Sequence, residues 1–182
     1  QLTDRISFGL LYDQPFGADI TYPMQSNNTF SDNEFTRQGT SVNVDTESIS
    51  MILGVSPFSN VQLYGGAVYQ SVKGDVALRG NSYSEAFNGY DAKFKADHAV
   101  GWLAGLSYQI PDIALKVAVT YRSKIDHDMQ ATETMFGQPL EVTTPSKTRI
   151  STPQSVNIDF QTGVYKDTLL YTNLRWVNWK DF

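Results

Sequence analysis

The sequence contains no cysteine. That excludes a disulfide framework, a thiolate metal site and a cysteine nucleophile. Charge is also scarce: Lys, Arg, Asp and Glu make up 18% of the chain, against roughly a quarter in ordinary soluble domains. The net charge of −5 leaves no basic stripe to neutralise phosphates, so a nucleic-acid partner is excluded. No apolar run approaches the 18 or so residues that a membrane-crossing helix needs. Histidine occurs only at His98 and His127, and no nucleophile elbow or phosphate loop is present.

The chain is rich instead in aromatic residues, 13% of the total, and in period-two alternation. From Ile113 to Ser123, Ile113, Leu115, Val117, Val119 and Tyr121 alternate with Ala114, Lys116, Ala118, Thr120 and Arg122. In a strand this gives one apolar face and one small or polar face. Further strands are expected at Asp4 to Tyr22, Val42 to Val55, Val61 to Leu78, Asp97 to Gln109, Arg149 to Gly163 and Thr168 to Trp179. The chain thus reads as all-β, an antiparallel meander of about seven long strands. The connections Ser56 to Asn60, Ile110 to Asp112 and Tyr165 to Asp167 are tight, whereas Pro23 to Thr40, Arg79 to Ala96 and Gln130 to Lys147 are long. Transmembrane barrels share that asymmetry, and a mean hydropathy of −0.31 suits them. A water-soluble sandwich or barrel that binds lipid inside is the alternative, and the pattern leaves both open. Closed single-chain barrels use an even number of strands, so residues 1–182 are expected to form a single segment of a larger wall. Its open edges could self-associate.

Gly101-Trp102-Leu103-Ala104-Gly105-Leu106-Ser107-Tyr108, the Ile110-Pro111-Asp112 turn and Val119-Thr120-Tyr121-Arg122-Ser123 resemble the FadL family of outer-membrane long-chain fatty acid transporters. Shorter similarities run through Phe8-Gly9 to Phe16-Gly17, Glu47 to Gly54, Gly65-Gly66-Ala67-Val68-Tyr69 and Leu174-Arg175-Trp176-Val177-Asn178-Trp179. The resemblance implies part of a fourteen-stranded barrel in the bacterial outer membrane, without the family's N-terminal hatch and second half. It also implies passive transport of long-chain fatty acids or other hydrophobic compounds, no enzymatic activity and no cofactor.

It further directs attention to particular residues. Gln14-Pro15-Phe16-Gly17 interrupts the first strand, since Pro cannot donate to a ladder and Gly relaxes φ; the resemblance makes this a lateral exit, and an ordinary bulge is the bland alternative. Tyr83, Phe87, Tyr90 and Phe94 recur at spacings of four, three and four, which predicts one helical face, and with Met135, Phe136 and Leu140 they are expected to form an outer capture groove. The alternative is a loop that packs on itself. A buried carboxylate needs a cation, for which Lys73, Arg79, Lys116 and Arg122 are candidates; each could equally be a strut paired with an acid such as Asp75. Asp126-His127-Asp128 is not expected to hold a metal, because alternation turns His127 away from both acids, and an exposed loop-edge histidine is expected.

Overall fold

A computed structural model of the chain describes residues 5–84, 86–140 and 147–181. Strands appear in chain order as β1 (Ile6–Asp13), β2 (Gly17–Thr21), β3 (Ser31–Asp32), β4 (Gln38–Gly39), β5 (Ser41–Phe58), β6 (Val61–Leu78) and β7 (Tyr90–Ile110). They continue as β8 (Leu115–Arg122), β9 (Ile125–Met135), β10 (Gln138–Pro139), β11 (Lys147–Thr152), β12 (Ser155–Tyr165) and β13 (Thr168–Val177). The backbone order is β1-β5-β6-β7-β8-β12-β13, all antiparallel, with β2 continuing β1 on β5, β9 continuing β8 on β7, and β11 pairing with β9. Seven wall strands therefore run side by side, as the alternation implied.

The loops are shorter than expected and the walls taller. β7 begins at Tyr90 and β9 reaches Met135, so much of the two later loop regions is sheet. The helix expected over Tyr83 to Phe94 does not form: a three-residue 3-10 turn at Asn81–Tyr83 is followed by Gly89 at φ 89 and then strand. Asn88-Gly89 punctuates the segment, and the ladder with β6 and β9 outweighs a weak helical spacing. No described helix is long and apolar enough to cross a membrane, which says nothing of strands.

Side-chain direction follows the register. In β5, Thr46, Ser48 and Ser50 are buried while Ile49, Met51, Leu53 and Val55 are exposed. The contrast is sharp, at 1% for Ser48 against 57% for Met51. Leu63 and Tyr69 of β6, Val100, Trp102, Leu106 and Tyr108 of β7, and Leu170, Leu174 and Trp176 of β13 are exposed too. Ile49, Tyr69 and Val100 pair at one level across three strands; the next level up carries Glu47, Ser71 and His98. Above that line the outward face is charged, with Asp45, Lys73, Asp75, Lys93, Asp126, Asp128 and Arg149. β5 and β6, at 18 residues each, span roughly 60 Å, about twice a bilayer's hydrocarbon core of ~30 Å. An apolar belt over one half and a charged collar over the other fits strands of that length.

Candidate functional site

The interior reverses the outer pattern. Below the boundary it is mostly small or polar, with Ser48, Ser50, Gln62, Gln70, Ser107, Lys116, Thr120, Asn157 and Asp159 facing inward. Above it, Val44, Val72, Val76, Phe94, Met129 and Ile150 converge on an apolar cavity of about 570 Å³. That volume lies within the range of small-molecule sites.

The cavity reaches the wall where the first strand breaks, and Pro15, Phe16, Gly17 and Ala18 all line it. Asp13 pairs with Ser48 and Gly17 with Asp45, so three residues, Gln14 to Phe16, stand opposite two, Thr46 and Glu47. This is a bulge with one extra residue, which bends the strand and leaves backbone groups without ladder partners. Thr46 takes their place: its hydroxyl accepts a hydrogen bond from the Phe16 amide at 3.0 Å and donates to the Phe16 carbonyl. Gly17 needs no left-handed conformation, since the glycines with positive φ are Gly80, Gly89 and Gly137. The interruption arises from Pro15 and the extra residue, and the expectation that Gly17 relaxes φ is corrected.

One residue pair below Val72 and Met129, and joined to the cavity lining through Thr152, is a buried polar tie. His127, with no exposed surface, lies 3.1 Å by Nδ1 from the Asp97 carboxylate and 3.1 Å by Nε2 from the Gln70 carbonyl oxygen. Gln70 also accepts from the Thr152 hydroxyl at 2.8 Å and donates to Ser48 at 3.1 Å. Five strands meet there, and beneath the tie Val68, Leu103 and Ile125 form a small apolar core. Gly101 makes room for that core, because a Cβ at this position would come within 2.6 Å of Ile125. The expectation of an exposed His127 is thus overturned. Alternation does turn it from Asp126 and Asp128, which pair outward with Lys124 and Arg149, but the pairing of β9 with β11, in a region expected to be mostly loop, buries it. Among the described residues no group of three or more acids or histidines could hold a metal.

The other residues singled out in the sequence are dispersed. Phe94 alone of the four spaced aromatics lines the cavity. Tyr83 meets Phe30 edge-on, Phe30 stacks on Tyr22, Phe87 packs against Tyr90, and Phe136 against Phe35. Leu140 is exposed. Lys73 is one of the residues around the cavity, but its ammonium pairs with Asp45 at 3.6 Å, both side chains more than half exposed. Arg79 is buried, and its guanidinium donates to Leu78 and Tyr90 carbonyls, Gln38 and Asp91. Arg122 is tied to Asp13 at 3.2 Å across the curved wall, and Lys116 lines a lower polar recess with Asp159. Arg175 was not foreseen: its guanidinium lies 5.4 Å over the Phe16 ring, against which Trp179 also packs edge-on.

No protein-family model and no curated protein sequence matches this chain. Among solved structures, it is similar to a Pseudomonas aeruginosa FadL homologue, with 17% identity, a TM-score of 0.67, and coverage of 97% of this chain and 46% of that one. It is also similar to the Pseudomonas putida toluene transporter TodX, with 12% identity, a TM-score of 0.62, and coverage of 98% and 53%. The chain spans about half the length of each. At these identities the likeness concerns the fold: the curved wall is a FadL-like β-barrel segment.

Proposed function

We propose that this FadL-like wall sits in a bacterial outer membrane and carries hydrophobic molecules, long-chain fatty acids among them, from an outward-facing apolar cavity sideways through the break at Gln14 to Gly17. One observation carries the reading: the cavity is apolar where the outer face is charged, and it abuts a strand interruption just above the level at which the outer face becomes apolar. A greasy solute in that cavity has the buried polar tie below it and a thinned wall beside it. Descending would require breaking the His127–Gln70 tie, whereas the break opens beside the level at which the outer face becomes apolar. The belt at Met51, Leu53, Trp102 and Leu106 would contact outer-membrane lipid. The fold likeness to FadL and TodX structures supports transport of hydrophobic compounds over a soluble lipid-binding sandwich. Open edges at β1 and β13 are proposed to be where further wall, or a second copy, adds.

The test is to repair the bulge. Deleting Gln14 together with Pro15→Thr leaves two residues opposite two and restores a backbone donor. Uptake of a long-chain fatty acid should fall at least about 10-fold while assembly into the membrane is retained. Unchanged uptake by a correctly assembled protein would remove the lateral exit.

A further inference from the structure

The collar above the belt is not evenly charged. Along β2 and β5 its exposed charged residues are Asp19, Asp45 and Glu47, all acidic. Along β7 and β11, and in β9 with the residue before it, the exposed cations Lys93, Lys95, Lys124, Lys147 and Arg149 stand against only Asp126 and Asp128. Lys124 and Arg149 pair with those two acids at 3.1 and 2.9 Å. Lys93, Lys95 and Lys147 form no ion pair among the described residues. Asp75, opposite Lys93 in register, offsets part of that excess. A register shift concentrates the rest. Phe94 pairs with Gly74 and Asp97 with Val72, so Lys95 and Ala96 together oppose Lys73. This bulge turns Lys95 to the outer face beside Lys73 and two residues from Lys93. Lys147 continues the same level, because it pairs with Gln130, the neighbour of the Ala131 that faces Phe94. Like charges so placed destabilise a sheet unless an anion is shared among them. The excess is local, since the chain as a whole carries −5.

Tyr69, at the upper edge of the apolar belt, lies four residues below Lys73 along β6, roughly 13 Å at ~3.4 Å per residue. That is the level at which lipid head groups meet a transmembrane wall, and long lysine side chains reach along it. We propose that Lys93, Lys95 and Lys147 hold phosphomonoester groups of membrane lipid in the leaflet on the collar side, enriching phosphorylated lipid around the β6 to β11 sector and not around β2 and β5. The inference rests on the reading of the belt as lipid-facing and goes beyond it by naming a lipid class and a sector of the wall. A phosphomonoester brings up to two negative charges and three acceptor oxygens, so neighbouring ammonium groups can share it. A zwitterionic head group carries its own cation and gains little from the patch.

The experiment uses the full chain in phosphatidylcholine vesicles, with Trp176→Phe and Trp179→Phe leaving Trp102, exposed in the belt on the strand that carries Lys93 and Lys95, as the reporter. One lipid in ten is replaced by phosphatidic acid or phosphatidylcholine brominated on the acyl chains, and quenching of Trp102 measures which lipid gathers there. Brominated phosphatidic acid should quench as though enriched about 5-fold over its bulk fraction, and brominated phosphatidylcholine as though not enriched. Lys93→Gln with Lys95→Gln and Lys147→Gln should abolish the enrichment, and Lys95→Gln alone should remove part of it. Lys166→Gln, in the turn between β12 and β13, should leave it intact. If phosphatidic acid quenches no better than phosphatidylcholine, or as well in the triple variant as in the parent, the head-group assignment is wrong although the belt stands. Should neither lipid quench Trp102, the belt does not face lipid and both readings are overturned.

Discussion

The lower and upper halves of the wall are built from the same strands and have opposite polarity. Below the level of Ile49, Tyr69 and Val100 the outside is apolar and the inside mostly polar; above it the outside is charged and the inside apolar. A strand presents alternate residues to its two faces, so reversing which set is apolar needs no change in backbone, only in composition. On the proposed reading the lower half faces lipid outside and water inside, and its upper counterpart faces water outside and a hydrophobic guest inside. The strand break lies where the two regimes meet.

The largest effects should come from violating the lower half's outer face. Met51→Lys combined with Leu106→Lys places two charges in the belt, each costing about 2 to 4 kcal/mol near a bilayer's centre. Folded protein in lipid vesicles, scored by gel mobility without heating, should fall to a small fraction. Charge exchange at the upper level, Asp45→Lys with Lys73→Asp, should leave that yield nearly unchanged, because the exposed pair contributes little.

Next in size is the junction between the halves. Gln70→Ala removes three hydrogen bonds and strands His127, Thr152 and Ser48 in a buried site, an expected cost of about 1 to 3 kcal/mol. Denaturant midpoints in micelles would show it. Gly101→Val forces a side chain into Ile125 and should destabilise by a similar amount. Of smaller effect, Phe94→Ala should weaken binding of an apolar probe by about 1 kcal/mol, while Phe87→Ala leaves it unaltered, because only Phe94 lines the cavity. Equal losses from both would return the capture role to the outer loop.

The smallest concerns the first outer loop. Burial raises the Asp32 carboxyl, but amide donors from Phe35, Thr36 and Glu34 outweigh it and hold the group below the usual carboxylate range. A lowered folded-state value means the loop gains stability above the carboxyl's ordinary titration range and loses it as pH falls toward the depressed value. The protection factor of the Thr36 amide, its exchange rate relative to the unstructured amide at the same pH, should fall under acid, and Asp32→Asn should flatten that dependence. A protection factor that does not respond to acid would contradict it.

The fold was legible where alternation was strict, as from Leu115 to Tyr121 or Ile49 to Val55, because each residue there matches its face. The cavity was legible in part: Pro15, Phe16 and Gly17 at its rim through the break, whose cause, the missing donor of Pro15, is a local property, and Phe94 and Lys73 as single side chains. The rest of its lining was not, since Val72, Met129 and Ile150 are brought together by pairing across strands that no local pattern records. The aromatic spacing from Tyr83 to Phe94 misled for the converse reason: a 3.6-residue rhythm was present, but ladder partners on both sides claimed the segment. The contacts of Arg175 with Phe16 and of His127 with Asp97 and Gln70 were not legible, because an isolated arginine or histidine acquires its partners only from the element opposite it.

The reversal of polarity is tested most directly by depth. The chain has no cysteine, so a single cysteine at Met51, Leu106, Asp45 or Lys93 carries one spin label without further engineering. In protein reconstituted into lipid vesicles, labels at Met51 and Leu106 should be relaxed by dissolved oxygen and shielded from a water-soluble nickel chelate. Labels at Asp45 and Lys93 should show the opposite. All four sites equally open to the chelate would mean that the belt faces water and that the wall is no membrane barrel.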